Sequence, residues 1–253
     1  MHRNNLTRRD FVAIAAGSVA SVTLGSACRR LGDATNDGRL TARPYPGVTT
    51  TPANRILVEV DSSDRNATLQ LPRTDKRPPV LPLLVMLHGA TQNAEDMFSY
   101  LDSAYEEAAV AVLAPKSLDT TWDAIGGSFG RDVEYLNRVL EGTFKLAAID
   151  PKRVAVGGFS DGASYAISLG LINGDLFSSV VAFSPGFVVE GTPQGTPRFF
   201  ISHGTRDHIL PIDRCGRRIA SRLKARGYDV TFREFDGDHE IPPDVVREGL
   251  RFF

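Results

Sequence analysis

Short apolar runs recur along this chain with helical patterns between them, and that alternation constrains the fold more than any other feature. Residues 83–87, 110–114, 154–157, 180–183 and 199–202 are almost free of polar side chains. Strands buried on both faces read this way, whereas half-exposed strands alternate apolar with polar. Helical patterns fill 94–108, 133–147, 163–171 and 212–225; in the second, Val133, Leu136, Val139, Leu140 and Phe144 fall on one face. Strand and helix in alternation predict an α/β domain, with a mostly parallel sheet covered by helices on both faces. Residues 56–60 and 67–71, separated by polar residues, predict an opening hairpin. Only residues 185–197 lie between the last two buried runs, which leaves no room there for a large cap domain.

Composition removes several classes of function. The 29 basic and 30 acidic residues leave a formal charge of −1, so there is no broad basic footprint for nucleic acid. Two distant cysteines, Cys28 and Cys215, exclude a zinc ribbon, a CxxC redox centre and a disulfide framework. No His, Cys or Asp cluster has metal-ligand spacing, so neither metal nor cofactor is expected.

The N-terminus reads as a bacterial export signal. Arg3, Arg8 and Arg9 precede a small and apolar stretch, 11–24, and then Gly25, Ser26 and Ala27. Thr7-Arg8-Arg9-Asp10-Phe11-Val12 matches the twin-arginine pattern, which exports folded protein; the other reading is an ordinary Sec signal. Leu24-Gly25-Ser26-Ala27-Cys28 is close to a lipoprotein box, with the leucine one place too far from the cysteine. Lipidation at Cys28, which would tether the protein to a membrane, and plain cleavage near Ala27 both stand. The expected organisation is a signal at 1–27, a linker or tether at 28–54 and a catalytic domain at 55–253, acting in the cell envelope, the periplasm or outside.

Two Gly-x-Ser-x-Gly stretches compete for the chemistry: Gly158-Phe159-Ser160-Asp161-Gly162 and Gly126-Gly127-Ser128-Phe129-Gly130. A nucleophile elbow needs its serine between a buried strand and a helix, with glycines that let the two pass closely. Ser160 follows the run 154–157 and precedes a helix. Ser128 follows no strand, so its motif reads as a loop leading into a helix. Ser160 is the candidate nucleophile.

A serine hydroxyl needs a base to attack at neutral pH. His239 lies in the loop after the last strand-like stretch, 230–233, and is the candidate base. His208 directly follows the candidate acid and reads as a loop residue. Asp207 stands in the loop after 199–202, where it could accept the imidazole N–H and fix the tautomer. Asp213, Asp236 and Asp238 are its rivals. Donors to a developing oxyanion are expected from the backbone amides of Asp161 and Ala90, the latter in His88-Gly89-Ala90-Thr91-Gln92. His88 would hold that loop. Trp122 is a candidate pocket wall, with core packing the alternative.

Together, Leu87–Gln92, Gly157–Ala163, His203–Asp207 and Asp238–Pro242 resemble the phospholipase/carboxylesterase family of α/β-hydrolases, from about Ile56 to the C-terminus. The oxyanion loop is also similar to that of polyhydroxyalkanoate depolymerases and feruloyl esterases. The resemblance implies the α/β-hydrolase fold, a Ser160–Asp207–His239 triad, and an esterase or thioesterase activity; hydrolysis of small carboxylic esters through an acyl-enzyme is the reaction expected. Asp161 stands where acyl-protein thioesterases commonly carry glutamine, but only its backbone is needed for the chemistry. An open site without a cap favours short to medium acyl chains. A catalytically silent envelope binding protein is the alternative from another class; a thioesterase or serine peptidase on the same fold are the others.

Overall fold

The computed structural model describes residues 37–60 and 65–253. The expected export signal, Cys28 and the first part of the expected tether lie outside the described residues. Eight strands form one sheet in the order β1-β2-β4-β3-β5-β6-β7-β8. They are β1 (Arg55–Val58), β2 (Ala67–Gln70), β3 (Leu81–Leu87), β4 (Ala111–Ala114), β5 (Ile149–Phe159), β6 (Ser179–Phe183), β7 (Arg198–Gly204) and β8 (Val230–Phe235). β1 and β2 pair antiparallel as the expected hairpin, β2 joins β4 antiparallel, and all other pairings are parallel. This is the α/β-hydrolase arrangement, and among the described residues no large cap covers it.

Helices sit on both faces because the central strands have apolar side chains on both. One core packs α3 (Arg131–Leu146), α4 (Asp161–Ile172) and α5 (Gly216–Ala225) against side chains such as Leu83, Val85, Val156 and Ile201. The other packs α1 (Ala94–Leu101), the single turn α2 (Ala104–Glu107) and α6 (Pro243–Leu250) against Leu84, Met86, Ala155 and Phe200. The central strand β3 is buried along its whole length, and so is α4. Apolar burial of this kind is the main favourable term of folding.

Two expectations change. The helix expected over 94–108 is broken at Asp102, whose φ of 44° ends α1 before α2 begins. The second concerns the tether expected at 28–54. Its described part, 37–54, lies along the domain and is tied to it. Leu40 is buried and its amide donates to Asn173 Oδ1 at 2.8 Å. Asn137 Oδ1 accepts from the amides of Thr41 at 2.7 Å and Ala42 at 2.9 Å. Arg39 pairs with Asp175 at 2.8 Å, and the Thr51 amide donates to the Leu146 carbonyl at 2.9 Å. A stretch without apolar period can still be ordered when side-chain amides on the helices take up its backbone groups.

Candidate active site

Parallel strands end on one side of the sheet, and the loops that follow them carry the site. β5 runs directly through Ser160 into α4, and Ser160 has φ 55° and ψ −117°, an unfavourable conformation for a residue with a Cβ. Its amide is held by the Phe183 carbonyl at 2.9 Å. The flanking glycines permit the turn sterically. A Cβ on Gly162 would lie 2.2 Å from the Leu87 carbonyl oxygen, and one on Gly158 would lie 2.4 Å from the carbonyl carbon of Gly162. The helix therefore starts against the end of β3. Ser128 is exposed in a loop before α3, and a Cβ on Gly126 or Gly127 would meet nothing within 4 Å.

The loop after β3 abuts the serine: a Cβ on Gly89 would come 3.4 Å from Ser160 Cβ. Gln92 closes this loop, accepting the Gly89 amide at 3.0 Å and donating to Tyr100 Oη at 2.9 Å. His88 is buried and holds it from beneath. Its Nε2 accepts the Ser117 amide at 3.0 Å, so Nδ1 carries the hydrogen and donates to the Gly89 carbonyl at 2.7 Å. Burial lowers the His88 pKa, which favours that neutral form. Among the described residues the amides of Ala90 and Asp161 donate to no protein acceptor.

Trp122, a candidate pocket wall, is packed instead. It is 1% exposed, its Nε1 donates to the His88 carbonyl at 2.9 Å, and it stacks on Tyr165 with centroids 5.3 Å apart. Its loop is anchored by buried Asp132, which accepts the Leu118 and Asp123 amides at 2.8 Å each and pairs with Arg65. An indole N–H with a buried carbonyl partner belongs in the core rather than at a pocket rim.

Asp207 and His239 come together from the loops after β7 and β8. His239 Nδ1 donates to Asp207 Oδ2 at 2.7 Å, and the His239 ring lies 4.7 Å from that of Phe159, the residue before Ser160. His239 Nε2 is buried and makes no hydrogen bond, so Ser160 and His239 are not bonded in this conformation. Such bonds often tighten only when substrate is bound. His208 is exposed and pairs with Asp238 at 2.7 Å. Asp213 pairs with Arg217 and Asp236 with Arg206.

Three features of the site went unread in the sequence. His203 is fully buried and reaches the same Asp207 oxygen as His239, with Nε2 3.2 Å from Oδ2 and 2.7 Å from the Leu210 carbonyl. A carbonyl only accepts, so that nitrogen carries the hydrogen and leans on both oxygens. Asp207 Oδ1 accepts the amides of Ile209 at 2.9 Å and Leu210 at 2.7 Å. Burial alone would raise the Asp207 pKa, but the hydrogen bonds from His203, His239 and the Leu210 amide outweigh it and hold the carboxylate well below its ordinary range. The third feature is the Asp161 side chain, which is buried and accepts from Thr121 Oγ1 at 2.8 Å. Burial raises its pKa; the Thr121 hydrogen bond and the His239 charge oppose this. Among the described residues no group of His, Cys, Asp and Glu could hold a metal ion.

The model of the phospholipase/carboxylesterase family matches residues 117–253, more than half of the chain. The chain belongs to the phospholipase/carboxylesterase family. Acyl-protein thioesterase 1 of Emericella nidulans is 29% identical over 115 residues, 41% of this chain and 48% of that protein. Its namesake in Aspergillus fumigatus is 27% identical over 133 residues, 48% of this chain and 54% of that protein. The chain thus spans about half the length of these curated relatives. Among solved structures, a fluorophosphonate-binding serine hydrolase of Staphylococcus aureus covers 80% of this chain and 98% of its own, with a TM-score of 0.65 and 16% identity. A Bacillus cereus carboxylesterase covers 76% and 94%, with a TM-score of 0.59 and 19% identity. At these identities the likeness is one of fold. Within the family match lie Ser160, Asp161, Asp207 and His239, whereas Ala90 and the rest of its loop precede it.

Proposed function

We propose that this member of the phospholipase/carboxylesterase family is a serine hydrolase that cleaves small carboxylic esters through an acyl-enzyme. The observation that carries the reading is the hydrogen bond from partly buried His239 to buried Asp207, 2.7 Å long, beside a serine on a strained strand-to-helix turn. With Nδ1–H given to Asp207, His239 Nε2 is the nitrogen left to accept a proton. Ser160 Oγ attacks the ester carbonyl carbon as its proton passes to Nε2, and the carbonyl electron pair moves onto oxygen. The amides of Ala90 and Asp161 receive that oxyanion. Collapse expels the alcohol, which takes the proton from His239. Water then repeats the sequence, releasing the acid and restoring Ser160. Asp207 remains ionised and steadies the imidazolium, a role its depressed pKa supports.

The short, uncapped stretch between β6 and β7 favours short to medium acyl chains, and a p-nitrophenyl ester series from C2 to C16 tests this. Rates that peak by about C8 agree with an open site; a steady rise to C16 contradicts it. We extend the proposal to the place of action, on the residues of the N-terminal signal alone. Changing Arg8 and Arg9 to Lys is expected to trap the precursor in the cytoplasm, and unimpeded export would mean a Sec signal. Cys28→Ala then distinguishes a lipid-anchored enzyme, which it would release from membranes, from a soluble one.

A further inference from the structure

A groove that no step of this reaction uses runs between α5 and residues 186–190 of the loop after β6. It encloses about 690 Å3, within the range of sites that take one small molecule. Leu171, Val188, Ile219 and Leu223 give it an apolar floor, and Phe187 stands exposed beside them. The opposite character comes from α5 and the residues that flank it at either end. Arg214, Arg218, Arg222 and Arg226 follow at four-residue intervals, are all exposed, and all line the groove. Residues so spaced lie one above another along a helix.

These arginines are not neutralised as their neighbours are. Arg217, facing away, pairs with Asp213 at 2.7 Å and Glu234 at 2.6 Å. Arg226 has Glu190 at 3.6 Å. The side chains of Arg214, Arg218 and Arg222 make no ion pair or hydrogen bond with any described residue. Arg218 also sits in the first turn of α5, where the helix dipole favours anions and where no acidic residue stands. Stacked like charges and a cation at the positive end of a helix both oppose folding. An anion bound along the row relieves both, and the apolar floor beneath it adds a place for a chain.

We propose that this groove binds one molecule of a medium-chain carboxylate, its head group on the arginine row and its chain along the floor. Guanidinium forks match the planar carboxylate in a way that a point cation does not. The floor lies inside a concavity, which a free single chain can enter and a flat bilayer cannot reach. The proposal stands apart from the esterase reading, since nothing in it requires Ser160 to react.

The test is calorimetric titration of the full chain carrying Ser160→Ala, so that turnover plays no part. Decanoate, decyl maltoside and decyltrimethylammonium, each below its micelle concentration, hold the chain constant and vary the head. Decanoate is expected to bind one to one, roughly tenfold or more tighter than the other two, and less tightly as salt rises. The triple variant Arg214→Gln, Arg218→Gln, Arg222→Gln is expected to lose at least about tenfold in decanoate affinity without a lower unfolding midpoint. Arg218→Gln alone is expected to lose part of this. Equal affinity for all three heads, or decanoate binding that survives the triple change, overturns the proposal. So does the absence of saturable decanoate binding, including the case where the protein is captured only by vesicles of anionic lipid. Loss of hydrolysis in the wild-type chain would count against the proposed reaction and leave this binding untouched.

Discussion

The chain carries the same five-residue pattern twice, and the structure treats the two copies oppositely. At Gly158–Gly162 each glycine is pressed to within 2.4 Å of a neighbouring backbone atom, measured from where a Cβ would stand, and the serine is buried with φ 55°. At Gly126–Gly130 the first two glycines face open space and the serine is exposed. The motif therefore has no chemistry of its own. What makes it a site is the strand before it, the helix after it and the carbonyls of β3 against which that helix is driven. Glycine is required where backbone approaches backbone, and is merely tolerated in a loop.

Replacing the two serines in turn should break this contrast if it is wrong. Ser160→Ala is expected to lower kcat for p-nitrophenyl butyrate by about 10⁴ to 10⁶, and His239→Ala by a similar factor that does not add to it. Ser128→Ala should leave kcat within about twofold, as an exposed loop substitution does. The glycines carry the comparison into stability. Gly162→Ala drives a Cβ into the Leu87 and His88 carbonyls and should destabilise by about 3 kcal/mol or more, or prevent folding. Gly126→Ala meets nothing and should shift stability by no more than about 0.5 kcal/mol. Chemical denaturation of both variants checks the pair.

Titration sharpens the contrast further. Asp207 is ionised in the native state at pH values where a free carboxylate is protonated. A depressed native pKa means that its stabilising contribution is complete above about pH 4, the unfolded value, and drains away as pH falls below it. The stability advantage of the wild type over Asp207→Asn should therefore shrink steadily under acid. Asp161 runs the other way. Its native pKa is raised by burial, so its charge weighs against folding once the pH rises through that value. Asp161→Asn should raise the unfolding midpoint at pH 7. It should also keep activity within about tenfold, because the proposed reaction uses the amide of residue 161 and not its side chain.

The fold was largely legible in the sequence because the central strands are apolar on both faces and their runs are continuous. The break at Asp102 was not: no glycine or proline marks it, and the positive φ falls on a residue type that tolerates it without advertising it. The C-terminal helix Pro243–Leu250 is short, and its pattern is visible only once Val245, Val246 and Leu250 are seen to cover Phe200 and its neighbours. Residues 37–54 lack apolar period yet are held by Asn137 and Asn173, two asparagines nearly a hundred residues or more away in the chain. In the site, the chain order of serine, acid and histidine could be read from motif context. The second histidine on Asp207, near the end of β7, and the bond from Thr121 to Asp161, the first residue of α4, could not, since neither contact leaves a pattern in the sequence, and only the structure decides between pocket wall and core for Trp122.

The most direct measurement is covalent labelling of the native protein with a fluorophosphonate, which phosphonylates an activated serine oxygen and expels fluoride. Intact mass and peptide mapping should find one label per chain, on the peptide that contains Ser160. Labelling should vanish in Ser160→Ala and persist in Ser128→Ala. Label on Ser128, or labelling that survives Ser160→Ala at an undiminished rate, would contradict the assignment of Ser160 as the nucleophile.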